Sequence, residues 1–444
     1  MRYSRLPACL VALLIACGGG ADAGTASGPM PAAPAAPTVQ LTLGAPKAFV
    51  GDSVSLSWSA QQATSCAASG AWTGTQNPQG TFRVSFATGG VKSFVLACTG
   101  PGGTTTDSTR LIVPLPVFPT SYENAKNIET PITQTPVLTP VVCETNDARA
   151  YADFLQEGTL SRFVHGTVYD SITPGTMCLQ RRAPNGSWVD VTDSYISDKR
   201  GCLHPRKAIV ADFNRDGKPD VFTACHGWDR SPYTGEHSIL LMSNAQGRYD
   251  RIEFPPVAFS HGAAAGDVNG DGYPDILLLD SSHNSYSFYI NQHGTGAFVR
   301  DDSRLPVSYL SRTAYFTAEL TDLDGDGILD VLMAGFDTND ANAAPATFLR
   351  GSPNGTFTSY APVTWPGETG CLSTLDFVVR AGSAYLLREC SNYAGFAVTK
   401  VSIATGKASL LYDAKTFGKT PRWLFSAGGK LVYDDVGIPL SIVP

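Results

Sequence analysis

The chain has 444 residues, enough for two or three domains, and an ordinary globular composition rich in turn formers, with 44 Gly and 30 Pro. Its formal net charge is −7. That acidity argues against nucleic acid as a partner, because polyanions are recognised through basic patches.

Arg2 and Arg5 precede an apolar run from Leu6 to Ala16. The run is too short to cross a bilayer and suits the h-region of a signal peptide. It ends Leu14-Ile15-Ala16-Cys17, which resembles a bacterial lipobox. The resemblance implies cleavage after residue 16 and a lipid on the Cys17 sulfur. Because Gly18 follows rather than Asp, it also implies the outer membrane as destination. The alternative is a plain secretory signal with an incidental Cys and a secreted product. Stable anchoring takes more than one acyl chain. Residues 17–37 are Ala/Gly/Pro-rich and read as a tether that holds the folded part off the membrane.

Residues 38–115 contain short alternating runs, among them Ser53-Val-Ser-Leu-Ser-Trp58 and Ser93-Phe-Val-Leu-Ala-Cys98, that suit a small β-sandwich. Ser57 to Ala60, Ser65 to Ser69 and Cys98 to Gly100 resemble bacterial Ig-like domains. The resemblance implies a Cys66–Cys98 staple between neighbouring strands, adding roughly 2–4 kcal/mol to a modest core. A spacer and a binding module both remain open readings. Residues 116–140, with several Pro, read as a linker, with a strand contributed to the next domain as the alternative.

In residues 141–444 one loop recurs: Asp212-Phe-Asn214-Arg-Asp216-Gly217-Lys218-Pro-Asp220, Asp267-Val-Asn269-Gly-Asp271-Gly272-Tyr273-Pro-Asp275 and Asp322-Leu-Asp324-Gly-Asp326-Gly327-Ile328-Leu-Asp330. The starts are 55 residues apart both times (267 − 212 and 322 − 267), so one structural unit is built repeatedly. Oxygens at positions 1, 3, 5 and 9 converge if the chain turns sharply, and the Gly at position 6 permits that turn. The carbonyl at position 7, from Lys218, Tyr273 or Ile328, can add another oxygen. Such a set suits Ca2+, which takes six to eight oxygens, and predicts about three sites. Position 12 is Thr223, Leu278 or Met333 rather than Glu, and short apolar runs follow each loop, so it joins two strands rather than the helices of an EF-hand. An Asx-rich hairpin without metal is the alternative.

These loops, with the small-residue strand Ala263-Ala-Ala-Gly before the second, resemble the FG-GAP/VCBS repeats of integrin-type β-propellers over roughly residues 140–440. The resemblance implies calcium ligands at Asp212, Asn214, Asp216 and Asp220 and at their counterparts in the other loops. Weaker copies start at Asp153, where Leu155 and Ser161 replace the expected oxygens, and at Asp376. A final strand-turn-strand runs from Trp423 to Tyr433. Turns followed by an aromatic, at Trp188, Tyr249, Phe298 and Phe357, mark the outer hairpins. The expected fold is therefore all-β: a small Ig-like sandwich followed by a propeller of six blades, or seven.

Ten Cys are present; Cys9 leaves with the signal and Cys17 takes the lipid. An even remainder in an exported chain suggests disulfides. Cys202 and Cys225 bracket one strand-turn-strand unit, and Cys371 and Cys390 another, which predicts these two pairs. With Cys66 and Cys98 paired as above, Cys143 and Cys178 are left as a fourth pair.

Since the Asp loops join first strands to second, they share one face of the disc. The opposite face collects His165, His204, His226, His237, His261 and His283 and the long loop His226 to His237. His226, Trp228, Asp229, Tyr233, Glu236 and His261 are the ligand-binding candidates, since recognition residues gather on loops of a rigid scaffold. The leading expectation is a calcium-stabilised, lipid-anchored envelope protein that binds a protein or glycan ligand through this face. The alternative is an exported hydrolase or lyase using the same histidines and acids. No nucleophile elbow, H-E-x-x-H motif or recognisable triad points to an enzyme.

Overall fold

The computed structural model describes residues 32–128, 146–167, 172–281, 285–310, 314–337, 343–416, 421, 424–427, 430–433 and 440–441. The expected Cys17 lipidation site, Cys143 and His283 lie outside them. Among the described residues the strands form seven four-stranded sheets and one three-stranded sheet, the all-β pattern of a β-propeller preceded by a separate two-sheet unit.

The N-terminal unit pairs a three-stranded sheet (Thr38–Leu43, Val54–Gln61, Gln79–Val84) with a four-stranded one (Gly74–Gln76, Ser65–Gly70, Gly90–Gly100, Gly103–Val113). Alternation buries one face of each, and Leu56, Trp58, Phe94, Leu96 and Leu111 share the core between them. Trp58 and Trp72 meet edge to face, 5.0 Å between centroids. Cys66 and Cys98 are directly paired across adjacent strands and bonded, so this staple lies within one sheet rather than between the two.

The other six four-stranded sheets follow the chain from Asn146. Their first strands begin at Asn146, Pro205, Ser260, Tyr315 and Cys371, and the last sheet is Leu424–Ala427, Lys430–Tyr433 and Leu440–Ser441 with Asn127–Ile128. Five apolar clusters each join one sheet to the next, as when Tyr249 packs with Phe154 and Phe254 with Tyr289. A sheet buried on both faces needs nearly continuous apolar strands, which Ile276-Leu-Leu-Leu279 and Val331-Leu-Met-Ala334 supply. The turn aromatics Trp188, Tyr249, Phe298 and Phe357 are all buried. The Tyr249 hydroxyl donates toward the Phe154 and Pro219 carbonyls, each at 3.0 Å, tying the first sheet to the second.

Residues 116–128 follow the alternative to a plain linker, a strand contributed to the next domain. Ser121–Lys126 is a helix, and Asn127–Ile128 pairs in parallel with Leu424–Ala427, so a segment from before the first sheet completes the last one. The helix touches the strands at 146–152, 205–211, 260–266, 315–321 and 424–427. To the remaining sheet it is joined by Tyr122, whose hydroxyl accepts from Val379 N–H at 2.6 Å and donates to its carbonyl at 2.8 Å. Asn124 donates to the Val210 carbonyl, and Ser121 Oγ accepts from Ala265 N–H. One turn of helix thus satisfies backbone groups of three sheets where the six converge. Small residues such as Ala263, Ala264 and Ala265 leave it room.

Lys207, on the second of these sheets, reaches Glu319 of the fourth at 2.9 Å and the Ala318 carbonyl at 2.6 Å, with both charged side chains buried. Removing one member of a buried pair leaves the other uncompensated. Lys207→Met should therefore lower stability by about 3–5 kcal/mol, and adding Glu319→Leu should recover a large part of it. Urea unfolding of the two variants decides; a single variant as stable as the parent would refute the pairing.

Candidate functional site

The three Asp loops share one wiring. The first carboxylate accepts from the backbone N–H groups of positions 5 and 6: Asp212 from Asp216 and Gly217 at 3.0 and 2.9 Å, Asp267 from Asp271 and Gly272 at 3.2 and 2.7 Å, Asp322 from Asp326 and Gly327 at 3.1 and 2.9 Å. The position-6 glycines have φ of +80°, +87° and +85°, a left-handed turn that side chains disfavour. Position 5 accepts from the position-7 N–H, from Lys218, Tyr273 and Ile328 respectively, each at 2.9 Å.

The ninth residue is a buried clamp. Asp220 accepts from Phe213 N–H (2.8 Å) and Ser243 N–H (2.7 Å), Asp275 from Val268 (3.1 Å) and Asn291 (2.8 Å), and Asp330 from Leu323 (2.8 Å) and Gly351 (2.7 Å). Burial pushes the Asp220 carboxyl up to about 8, and Asp275 and Asp330 each to about 6, with neighbouring loop carboxylates adding to the rise. The weak first copy keeps the wiring with altered atoms. Asp153 accepts from Glu157 and Gly158 N–H, and Ser161 Oγ takes the place of the ninth carboxylate as acceptor for Phe154 N–H.

The loops differ in what they gather. Asp322, Asp324 and Asp330 each bring one carboxylate oxygen within 4.8 Å of the others, and among the described residues this is the one Asp loop that does so. Arg350 lies against it, 2.8 Å from Asp324 and 2.9 Å from Asp326. In the first two loops position 3 is an amide: Asn214 donates to the Ser243 carbonyl, and Asn269 donates to Asp271. Lys218 turns its ammonium onto Asp216 at 3.2 Å, and the Arg215 guanidinium lies over the Tyr273 ring, bridging two loops. Each carboxylate keeps lone pairs beyond those its N–H donors occupy. The donor atoms are all oxygens, so the loops fit a hard cation such as Ca2+.

At the opposite strand ends a second constellation forms. His204 precedes Pro205–Ala211, His226 follows Asp220–Cys225, and His261 begins the next sheet. The rings of His204 and His226, and of His226 and His261, have centroids 5.0 Å apart. Trp228 stacks on His204 at 5.8 Å and Arg230 lies over Trp228. Phe259 contacts His226 at 4.4 Å, with Tyr233 set edge-on to it. From His261 the aromatic path continues through Phe316 to Phe336 on the fourth sheet. Tyr233 and Phe336 are exposed, at 47% and 40%. Burial, with Arg206 nearby, holds the His226 and His261 imidazoles far below the usual histidine range. One ligand atom each from His204, His226 and Asp229 lies within 4.8 Å of the others.

Several expected members of this face have other employment. His165 is buried, with Nε2 accepting from Cys202 N–H at 2.9 Å and Nδ1 against the Gly166 carbonyl. His237 Nδ1 meets the Phe254 carbonyl. Glu236, a ligand-binding candidate, accepts from Leu203, His204 and Gly227 N–H at 2.8–3.2 Å and so ties the start of its own loop to the segment before Pro205. Cys202–Cys225 pins the same base, and Cys371–Cys390 joins directly paired residues of the fifth sheet. Cys178 is disulfide-bonded, and its expected partner lies outside the described residues. Phe259, Phe316 and Phe336 were not singled out from the sequence. Their shared place, at the start of first strands or just after a second strand, was the available signal.

Residues 267–333, the second and third Asp loops with the strands between, match the FG-GAP-like repeat family. Cartilage acidic protein 1 of the mouse (Mus musculus) is 26% identical over 178 residues, 38% of this chain; the match spans about a quarter (26%) of that protein's length. A putative 6-phosphogluconolactonase from Bacteroides uniformis aligns over 77% of this chain and 84% of its own, at 10% identity and a TM-score of 0.43. A quinonprotein alcohol dehydrogenase-like protein from Bacteroides thetaiotaomicron aligns over 83% and 94%, at 8% identity and a TM-score of 0.31. At those scores neither structure bears on this chain's activity.

Glu236→Ala should release three backbone donors, each costing roughly 1–3 kcal/mol if left unsatisfied. Hydrogen exchange should quicken at Leu203, His204 and Gly227 while the Asp loops keep their protection. Unchanged exchange at those three amides would show that the carboxylate is not what holds the loop.

Proposed function

We propose that this protein is an exported binding or adhesion module, stabilised by calcium, which recognises a protein or glycan on the face opposite the Asp loops. The carrying observation is the aromatic path on that face. Trp228 and Tyr233 of the second sheet join Phe316 and Phe336 of the fourth through the rings of His204, His226, Phe259 and His261, and Tyr233 and Phe336 are exposed. Aromatic rings lose little entropy on binding and suit both sugar faces and protein anchors. The FG-GAP-like repeat and the propeller pattern suit a binding role.

Three disulfides between described residues, with Cys178 also bonded, suit an oxidising compartment. In this reading Cys17 carries the lipid, residues 18–37 are the tether, and the sandwich is an Ig-like spacer that presents the propeller away from the membrane. Calcium, when bound, would be held by Asp212, Asn214, Asp216 and Asp220 and by the equivalent residues of the other loops. It would supply the positive charge that the buried ninth carboxylates otherwise lack. Asp324 and Asp326 already face Arg350, so the third loop has a built-in competitor for the cation.

The convergence of His204, His226 and Asp229 favours a second reading, an exported hydrolase or lyase acting on that same face. Turnover of a polysaccharide or phosphoester that vanishes in His226→Ala would select it over binding.

Chelation should lower the melting temperature of the purified chain. Linked binding contributes about 2.7 kcal/mol per site at one hundred times the dissociation constant. Asp271→Ala should reproduce part of the loss, and a melting temperature indifferent to chelator would exclude the calcium role. On glycan and matrix-protein arrays, Trp228→Ala with Tyr233→Ala should abolish any signal while leaving the melting temperature nearly unchanged. Equal signals from variant and parent would place recognition elsewhere.

A further inference from the structure

We propose that His204, His226 and Asp229, with His261 as a fourth donor, form a site for a divalent transition metal of the zinc class. The site is separate from the Asp loops and independent of what the aromatic face binds. His226 is fully buried, yet neither of its ring nitrogens has a hydrogen-bond partner. His261 Nδ1 is likewise buried without one. An imidazole in such a position is costly unless something accepts its lone pair. The neighbours that could share that task are already gathered: ligand atoms of His204, His226 and Asp229 lie within 4.8 Å of one another, and the His261 ring is 5.0 Å from His226.

Three imidazoles and one carboxylate form a nitrogen-rich set. Such a set suits Zn2+, Co2+, Ni2+ or Cu2+, whereas calcium asks for oxygens. The surroundings hold these donors in place. Cys202–Cys225 joins the two segments that carry His204 and His226. His226 N–H donates to the His204 carbonyl at 3.2 Å. Glu236 fixes the His204 and Gly227 amides on either side, and Trp228 stacks on the His204 ring. Metal sites depend on such supporting contacts to orient their ligands. Asp229 is exposed, so the site has an entry path and a ligand that can close over the ion. The protein would then sort two classes of cation onto its two faces, oxygen donors on one and nitrogen donors on the other.

The test titrates the purified full chain with Co2+ in excess calcium, after removal of transition metals. Visible absorption reads nitrogen coordination, and competition with Zn2+ reads affinity. One equivalent per chain is expected, displaced by Zn2+. His226→Gln and Asp229→Ala should each weaken Co2+ binding by more than about tenfold. His293→Gln, whose ring lies 5.7 Å from Tyr273 of the second Asp loop, should leave the spectrum unchanged. Circular dichroism checks that His226→Gln folds; if it does not, the exposed Asp229→Ala carries the decision. Absence of a nitrogen-bound Co2+ spectrum, or binding that persists undiminished in Asp229→Ala, would overturn the proposal and leave the three rings as packing alone.

Discussion

The contact on which this architecture rests is a carboxylate accepting two backbone N–H groups from different parts of a blade. Asp220, Asp275 and Asp330 each bind the second residue of their own loop and a residue at the end of the third strand. Three strands are thereby fixed at one end by a single side chain. Burying such a group is tolerable because both oxygens have donors. Ser161 shows that the acceptor matters more than the charge, since a hydroxyl takes the loop-closing half of the task in the first sheet.

At the centre of the ring the chain meets a second requirement. First strands crowd together there, and small residues leave backbone groups that need partners. The helix Ser121–Lys126 answers it with Ser121, Tyr122 and Asn124, each bonded to a different sheet. Lys207 and Glu319 span the same region. The strand Asn127–Ile128, from before the first sheet, completes the last sheet by backbone pairing. A scaffold held in this way leaves its loops free to diverge.

The two faces divide their chemistry for a topological reason. Antiparallel strands place every first-to-second loop on one side and every second-to-third loop on the other. Repetition therefore multiplies one loop type on one face, while the opposite face collects loops under no common constraint. The long loop from His226 to His237 is the extreme case, held at its base by a disulfide and by Glu236 while Tyr233 reaches solvent. Rigid support beneath and exposed rings above is an arrangement suited to recognition.

Local pattern carried much of this. The period of the Asp loops, the apolar strands after them and the glycine at position 6 are properties of a few adjacent residues, so the repeats and the face they occupy could be read directly. Two disulfides followed from the same register, since their cysteines bracket a single hairpin. The helix at the centre could not be found that way: its six residues lack the length for helical periodicity and are stabilised by partners 86 to 257 positions distant. The backbone amides that Glu236 and His165 hold were equally hidden. So was the meeting of His204, His226 and His261. A carboxylate or imidazole has one identity in the chain, but its task is set by which donors surround it, and only folding brings those together.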